Sequence, residues 1–172
     1  MNVDGRAVAN FVLDFCDRKK RVVTNLALQK IVYFCHVWYL VEYKRPLIKQ
    51  RFEAWTHGPV LQYLYREFKD FESKPITKRS VSLNISNGSY EIARLNVSND
   101  ELELIESVVE FYSRIKPGTL VELSHTAGGP WHVVWNHDGE VNPGMKINDE
   151  DILSFYGARL PPFSRVRDNA KT

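Results

Sequence analysis

The chain is poor in cysteine, in net charge and in long apolar runs, and each shortage removes a class of protein. Its two cysteines, Cys16 and Cys35, sit inside apolar runs and read as small buried hydrophobes, which excludes a disulfide framework. No stretch reaches the ~18 uninterrupted apolar residues of a membrane span. Asp4, Arg6 and Asp14 interrupt the first apolar region, which is not the pattern of a secretory signal, so the expected compartment is the cytoplasm. A net charge of +2 is too mild to argue for nucleic acid. The basic cluster Arg51, Lys69, Lys74, Lys78 and Arg79 is diluted by Glu67, Asp70 and Glu72 and reads as a solvated face.

The spacings that carry chemistry are also missing. His36, His57, His125, His132 and His137 include no pair at the spacing of a zinc helix or a Cys-rich knuckle. Gly128–Gly129 precedes a proline and lacks the lysine of a phosphate-cradling loop. Ser124–His125 lacks the flanking glycines of a nucleophile elbow. No catalytic residue, metal or cofactor is therefore assigned, and the chain is not expected to be an enzyme. The one enzymatic arrangement left is a cleft of Glu53, His57 and His125.

What is present suits one domain: 172 residues, 44% hydrophobic and 26% charged. Aromatics make up 12%, with four tryptophans and eight tyrosines, residues that serve both cores and binding surfaces. The organising stretch is Leu26–Val41, LALQKIVYFCHVWYLV, in which only Gln29, Lys30 and His36 are clearly polar. It is too long for a strand and apolar nearly all round, which predicts a buried central helix capped by Thr24 or Asn25. Leu28, Ile31, Val32, Phe34, Cys35 and Trp38 are expected in the core. Gln29 and His36, seven apart, form a narrow polar stripe with Asn25 nearby. That stripe either satisfies neighbouring backbone or solvent, the commoner outcome, or lines a groove where a partner docks.

Other elements follow from local patterns. A first helix is expected over 4–20, where Val8, Phe11, Val12 and Phe15 recur at helical spacing. Phe52–Trp55 reads as extended, Thr56–Gly58 as a turn, and Pro59 as the first residue of a helix to about Lys69. Val81, Leu83 and Ile85, then Asn87–Gly88, then Tyr90 and Ile92 predict a hairpin over about 80–94 that packs on helices. Ser98 and Glu101 predict a capping box for a helix to about Ile115. Thr119 and Glu122 predict a second capping box, for a short helix over 120–125. Trp131, Val134 and Trp135 form an apolar turn, and 148–157 a last helix. Gly58 is expected to take an unusual backbone angle or a close packing position. Trp38, Trp55 and Trp131 are expected to pack in the core, and His57 and His125 to bond loop backbone. The expected fold is thus mainly α: a compact single domain over 1–160 around a central buried helix, with a small β-hairpin. Residues 161–172 form a basic, flexible tail.

Three stretches together resemble a known family. They are Leu28–Gln29–Lys30–Ile31–Val32–Tyr33–Phe34 with Trp38; Phe52–Glu53–Ala54–Trp55–Thr56–His57–Gly58–Pro59–Val60 with Tyr65; and Leu123–Ser124–His125 with Pro130–Trp131. Their order and spacing resemble the Panacea domain, the SocA-like antitoxin or phage-associated GepA-like domain of bacteria and prophages. One departure is Leu61–Gln62, where many members carry a proline soon after the Gly-Pro-Val. The resemblance implies a mostly helical domain that neutralises a cognate toxin, often encoded next door, by direct binding, as in a type II toxin–antitoxin system. An adaptor that delivers the toxin to a protease is the alternative, and the tail after Leu160 is where a protease would dock. Gln29, His36, Glu53, His57 and Tyr63 are the candidate contacts, as polar residues taken to have no packing duty. Leu28, Lys30, Tyr33, Trp38, Trp55, Gly58, Pro59, Tyr65, His125 and Trp131 are the residues that mark the family pattern.

Overall fold

The computed structural model describes residues 2–136 and 143–165. Seven helices occur among them: α1 (Gly5–Arg18), α2 (Asn25–Tyr43), α3 (Gln62–Phe68), α4 (Asn99–Tyr112), α5 (Pro117–Ser124), α6 (Pro130–Trp135) and α7 (Asp149–Tyr156). Two antiparallel pairs complete the description, β1 (Glu53–Trp55) with β2 (Gly58–Val60) and β3 (Val81–Leu83) with β4 (Tyr90–Ile92). The fold is mainly α with two small hairpins, as the apolar periodicity implies.

α2 is the axis of the molecule. It packs against α1, α3, α4, α5, α7 and β2, so residues 27–40 are buried on every side. Thr24 caps its start by accepting from the Ala27 amide, and Lys44 ends it in a left-handed conformation ahead of Pro46. The six expected core residues, Leu28, Ile31, Val32, Phe34, Cys35 and Trp38, are all buried. Phe34 lies flat on Tyr112 of α4, with ring centroids 4.2 Å apart, and the Trp38 indole N–H donates to the Tyr112 hydroxyl at 2.9 Å. One aromatic of α4 thus receives both a stacking and a polar contact from α2.

The Ser98–Glu101 capping box forms as the sequence pattern requires, and Glu101 also receives the Tyr39 hydroxyl and the Arg45 guanidinium. Three local expectations are corrected. Pro59 does not open a helix. Thr56–His57 is a tight turn that pairs Gly58–Val60 with Glu53–Trp55, putting Pro59 opposite Ala54. The next amide, of Leu61, is taken by the Gln29 side chain at 3.1 Å, which holds residue 61 extended, so α3 starts at Gln62. Pro117 does open one: Lys116 is its N-cap and Pro117 its first residue, so no Thr119–Glu122 capping box forms.

The third correction concerns the hairpin β3–β4. It lies where the alternation places it, joined through residues 84–89, with Gly88 at positive φ (+71°). However, its contact with helices is slight: the Val81 amide donates to Glu67 of α3 at 3.4 Å. The pairs Val81–Ile92 and Leu83–Tyr90 put four apolar side chains on one face, and that face is exposed. What holds the hairpin is its base. The buried Asn10 side chain of α1 donates to the carbonyls of Ser80 and Ala93 and accepts from the Ser80 amide, at 2.7–2.8 Å.

Of the expected tail, Phe163 packs on Trp38 and Phe111, and Arg165 pairs with Glu42 at 2.7 Å. Residues 166–172, like His137, lie outside the described residues.

Candidate functional site

A groove of about 1010 Å³ opens beside the first two turns of α2. Its floor is α2 itself, through Asn25, Leu26, Gln29 and Lys30; one wall is the β1–β2 turn, with Trp55, Thr56 and His57. Tyr65 of α3, Lys69, Glu72 and Trp135 of α6 complete the rim. The volume is at the upper end of what ligand pockets enclose, roughly 300–1,000 Å³.

The local chemistry explains how the wall stands. Trp55 meets Tyr65 edge-on at 5.1 Å, and its carbonyl accepts the Trp131 indole N–H at 2.8 Å. Trp131 is in turn sandwiched between His125 (3.6 Å) and Trp135 (5.5 Å). Trp38 and Trp131 are buried, but Trp55 is only half-buried, because one edge faces the groove. The aromatic chain fixes the β1–β2 turn to α6, 76 residues away in sequence.

Lys30 is the unusual residue. It is fully buried, and its ammonium donates to the Pro59 carbonyl at 2.9 Å, its single hydrogen bond among the described residues. Burial lowers its pKa from 10.5 to about 7. Gly58, at φ +106°, is what lets the β1–β2 turn lie this close. A Cβ there would fall 2.6 Å from Lys30 Cε and 2.5 Å from Ser124 Oγ, so the expected backbone singularity is real and has a packing cause. His125 adds an unpaired group. Among the described residues its Nε2 is buried without a hydrogen bond, contrary to the expected backbone contact. Its pKa is lowered by burial first, then by the Lys30 and His57 charges, which locates the three together.

The five candidate contact residues are not brought together. His57 is exposed at the groove wall. Gln29 is on the floor but occupied, donating to Asn25 Oδ1 and accepting from the Leu61 amide. His36 is buried farther along α2. Its Nδ1 accepts from the Ile48 amide, so Nε2 carries the proton donated to Asp149 at 2.9 Å. Glu53 sits between Lys146 and the Trp55 indole at 2.7 and 2.8 Å. Burial would raise its pKa, but those two donors outweigh burial and the net shift is downward. Tyr63 faces the chain's start, with Arg6 4.6 Å above its ring and Asp4 at its hydroxyl. The polar stripe thus has packing duty after all, tying the loops at Ile48 and Leu61 to α2.

The residues missed as site residues are Lys30 in the role of a floor group, Asn25 and Trp135. Lys30 left a signal, as a lone cation in an apolar run with no acidic residue three or four positions away. Trp135 left none, because only the path of the chain brings it to the rim.

Residues 28–132 match the family described as antitoxin SocA-like, Panacea domain. The chain is 40% identical over 152 residues to antitoxin SocA of Caulobacter vibrioides (strain NA1000 / CB15N), covering 88% of this chain and 81% of that protein. No solved structure matches.

Proposed function

The chain belongs to the antitoxin SocA-like, Panacea domain family, and on that footing we propose that it is an antitoxin that neutralises a cognate toxin by direct binding. The toxin is encoded beside it, as in a type II toxin–antitoxin pair, and residues 1–160 are the neutralising domain. The observation that carries the contact surface is the aromatic-walled groove. It is built from 24–30 and 54–60, which overlap the two stretches on which the resemblance rests, and its rim exposes Tyr65, His57 and Trp135. Tyrosine and tryptophan at a concave, partly apolar surface are the usual anchors of protein interfaces. No helix of the described residues is long and apolar enough to cross a membrane. That agrees with a partner met in the cytoplasm.

The test is growth. The flanking reading frame alone arrests growth, and co-expression with this chain restores it. His57→Ala, on an exposed side chain, loses rescue at low antitoxin expression while keeping the parental melting temperature. Loss of about 2 kcal/mol at one anchor weakens binding roughly thirtyfold. The toxin's lifetime in the rescued cell separates blocking, which leaves it unchanged, from delivery to a protease, which shortens it. If no flanking product is toxic and the chain retains only RNA or DNA, the antitoxin function is refuted.

A further inference from the structure

Positive charge is left over where α1 ends. The turn 19–24 lies against the loop 72–79, and the Ile76 amide donates to the Val23 carbonyl at 2.9 Å. Segments 14–22 and 74–79 carry seven cations and two carboxylates. Asp14 and Asp17 both go to Arg79, and Arg21 is matched by Glu110 of α4. Arg18, Lys19, Lys20, Lys74 and Lys78 are exposed, with no carboxylate partner among the described residues. Seven cations against Asp14, Asp17 and Glu110 leave this end at +4, while the whole chain is +2, so the remainder is negative. The negative end of the α1 dipole accounts for Arg18 and Lys19, but not for Lys74 and Lys78 in the loop. The same end has an apolar notch of about 270 Å³. The buried Leu13, Val23 and Ile76 line it, with Lys20 and with Val22, which is 78% exposed. It is smaller than a ligand pocket, roughly 300–1,000 Å³, and suits one inserted side chain. Notch and groove are continuous: Thr24 and Ser73 line the groove, and Val23 and Pro75, one and two positions away, line the notch.

Resting on the antitoxin function above, we propose that the toxin contact continues from the groove onto this basic end, where an acidic segment of the toxin lies with one apolar side chain in the notch. Charge complementarity selects the occupant. A second copy of the chain docked on the same patch would set the exposed cations against themselves. Nucleic acid is the other polyanion, and three features disfavour it. Asp14 and Asp17, 56% and 63% exposed, stand among the cations. The one aromatic of the two segments, Phe15, is buried and offers no face for a base to stack on. An apolar notch has no counterpart in a sugar–phosphate backbone. In this arrangement the cations steer the toxin in, and the notch retains it.

The first test needs no toxin. The whole chain is titrated with the peptide acetyl-Glu-Asp-Leu-Glu-Asp-amide, with its uncharged match acetyl-Gln-Asn-Leu-Gln-Asn-amide, and with a DNA duplex at equal anion concentration, while backbone amide resonances are followed. The acidic peptide is expected to move the amides at 19–23 and 76–79, and Lys19→Gln with Lys20→Gln to reduce that response. The uncharged peptide leaves them in place, and the duplex moves them less. Equal responses to the two peptides, or a larger response to DNA, overturns the inference.

The second test uses the complex with the flanking protein. Lys19→Gln with Lys20→Gln slows association about tenfold at low ionic strength, the scale of electrostatic steering. Lys44→Gln with Lys49→Gln, the same change in net charge placed outside this end, does not. The difference disappears at about 1 M salt, where the screening length is about 3 Å. Val22→Ala raises the dissociation rate instead, and does so at every salt concentration. All these side chains are exposed, so the parental melting temperature is kept. Equal association rates for the two double variants, or a loss that persists at 1 M salt, refutes the acidic-segment inference while growth rescue, and with it the antitoxin function, stands. If growth rescue fails, the antitoxin function falls, and the toxin as occupant falls with it.

Discussion

The Lys30 ammonium donates to the Pro59 carbonyl across 2.9 Å, a bond that joins the second turn of the buried helix to the second strand of the Thr56–His57 hairpin. It is the hinge between the two stretches that mark the family. It also makes the stability of the protein dependent on pH in an uncommon direction. Folding lowers the lysine's pKa from 10.5 to about 7, so between these values the unfolded chain binds more protons than the folded one. The cost of burying the charge is complete below pH 7 and fades as pH rises toward 10.5.

Lys30→Met should therefore be neutral or stabilising, with its largest benefit below pH 7 and none by about pH 10.5. Urea midpoints of parent and variant across that range check it. A variant destabilised most at low pH would show that the ammonium is net favourable in the fold.

Gly58→Ala should destabilise. Its φ of +106° strains any L side chain, and the added methyl would meet Ser124 Oγ and Lys30 Cε inside contact distance. The expected cost is about 1–3 kcal/mol, read as a lowered denaturation midpoint. Gly88→Ala, also at positive φ but with nothing within 4 Å, should cost less.

Asn10→Ala should release the β3–β4 hairpin. Three hydrogen bonds to Ser80 and Ala93 disappear, and the Ala93 carbonyl and Ser80 amide lose their partner at a buried site, while the Ser80 carbonyl keeps the Ala93 amide. About 2–4 kcal/mol follows from losses of roughly 1 kcal/mol each plus the unsatisfied groups. Hydrogen exchange should show the hairpin amides deprotected at 81–92, with those of α2 far less affected.

Glu101→Gln should blunt the acid sensitivity of the fold. The Tyr39 hydroxyl, the Ser98 amide and Arg45 hold the Glu101 carboxyl down at about 2, against burial, which would raise it. A depressed folded-state pKa contributes stability that is present above pH 4.5, the ordinary value, and is lost as pH falls toward 2. Parent protein should lose stability steeply in that window and the glutamine variant less so, as measured by thermal melts between pH 5 and 2.

Local periodicity was enough to determine much of this protein. The apolar run 26–41 determined a buried helix, because a helix with no polar face can only be enclosed. Ser98 with Glu101 determined a helix start, and Val81–Ile92 a hairpin, since both depend on residues a few positions apart. The family pattern lay in the order of three short stretches.

The tertiary structure decided what the polar residues do. Gln29 and His36 look like a stripe free to meet a partner, yet their bonds go to Leu61, Ile48 and Asp149, up to 113 residues away, and no local pattern encodes those distances. Pro59 reads as a helix start by its own preference. Pairing with Ala54 and the capture of the Leu61 amide by Gln29 override that preference. The groove is likewise a product of assembly. Trp135, Tyr65 and Trp55 come from three elements, and the burial that lowers the Lys30 pKa exists only once the turn at Gly58 has closed over it.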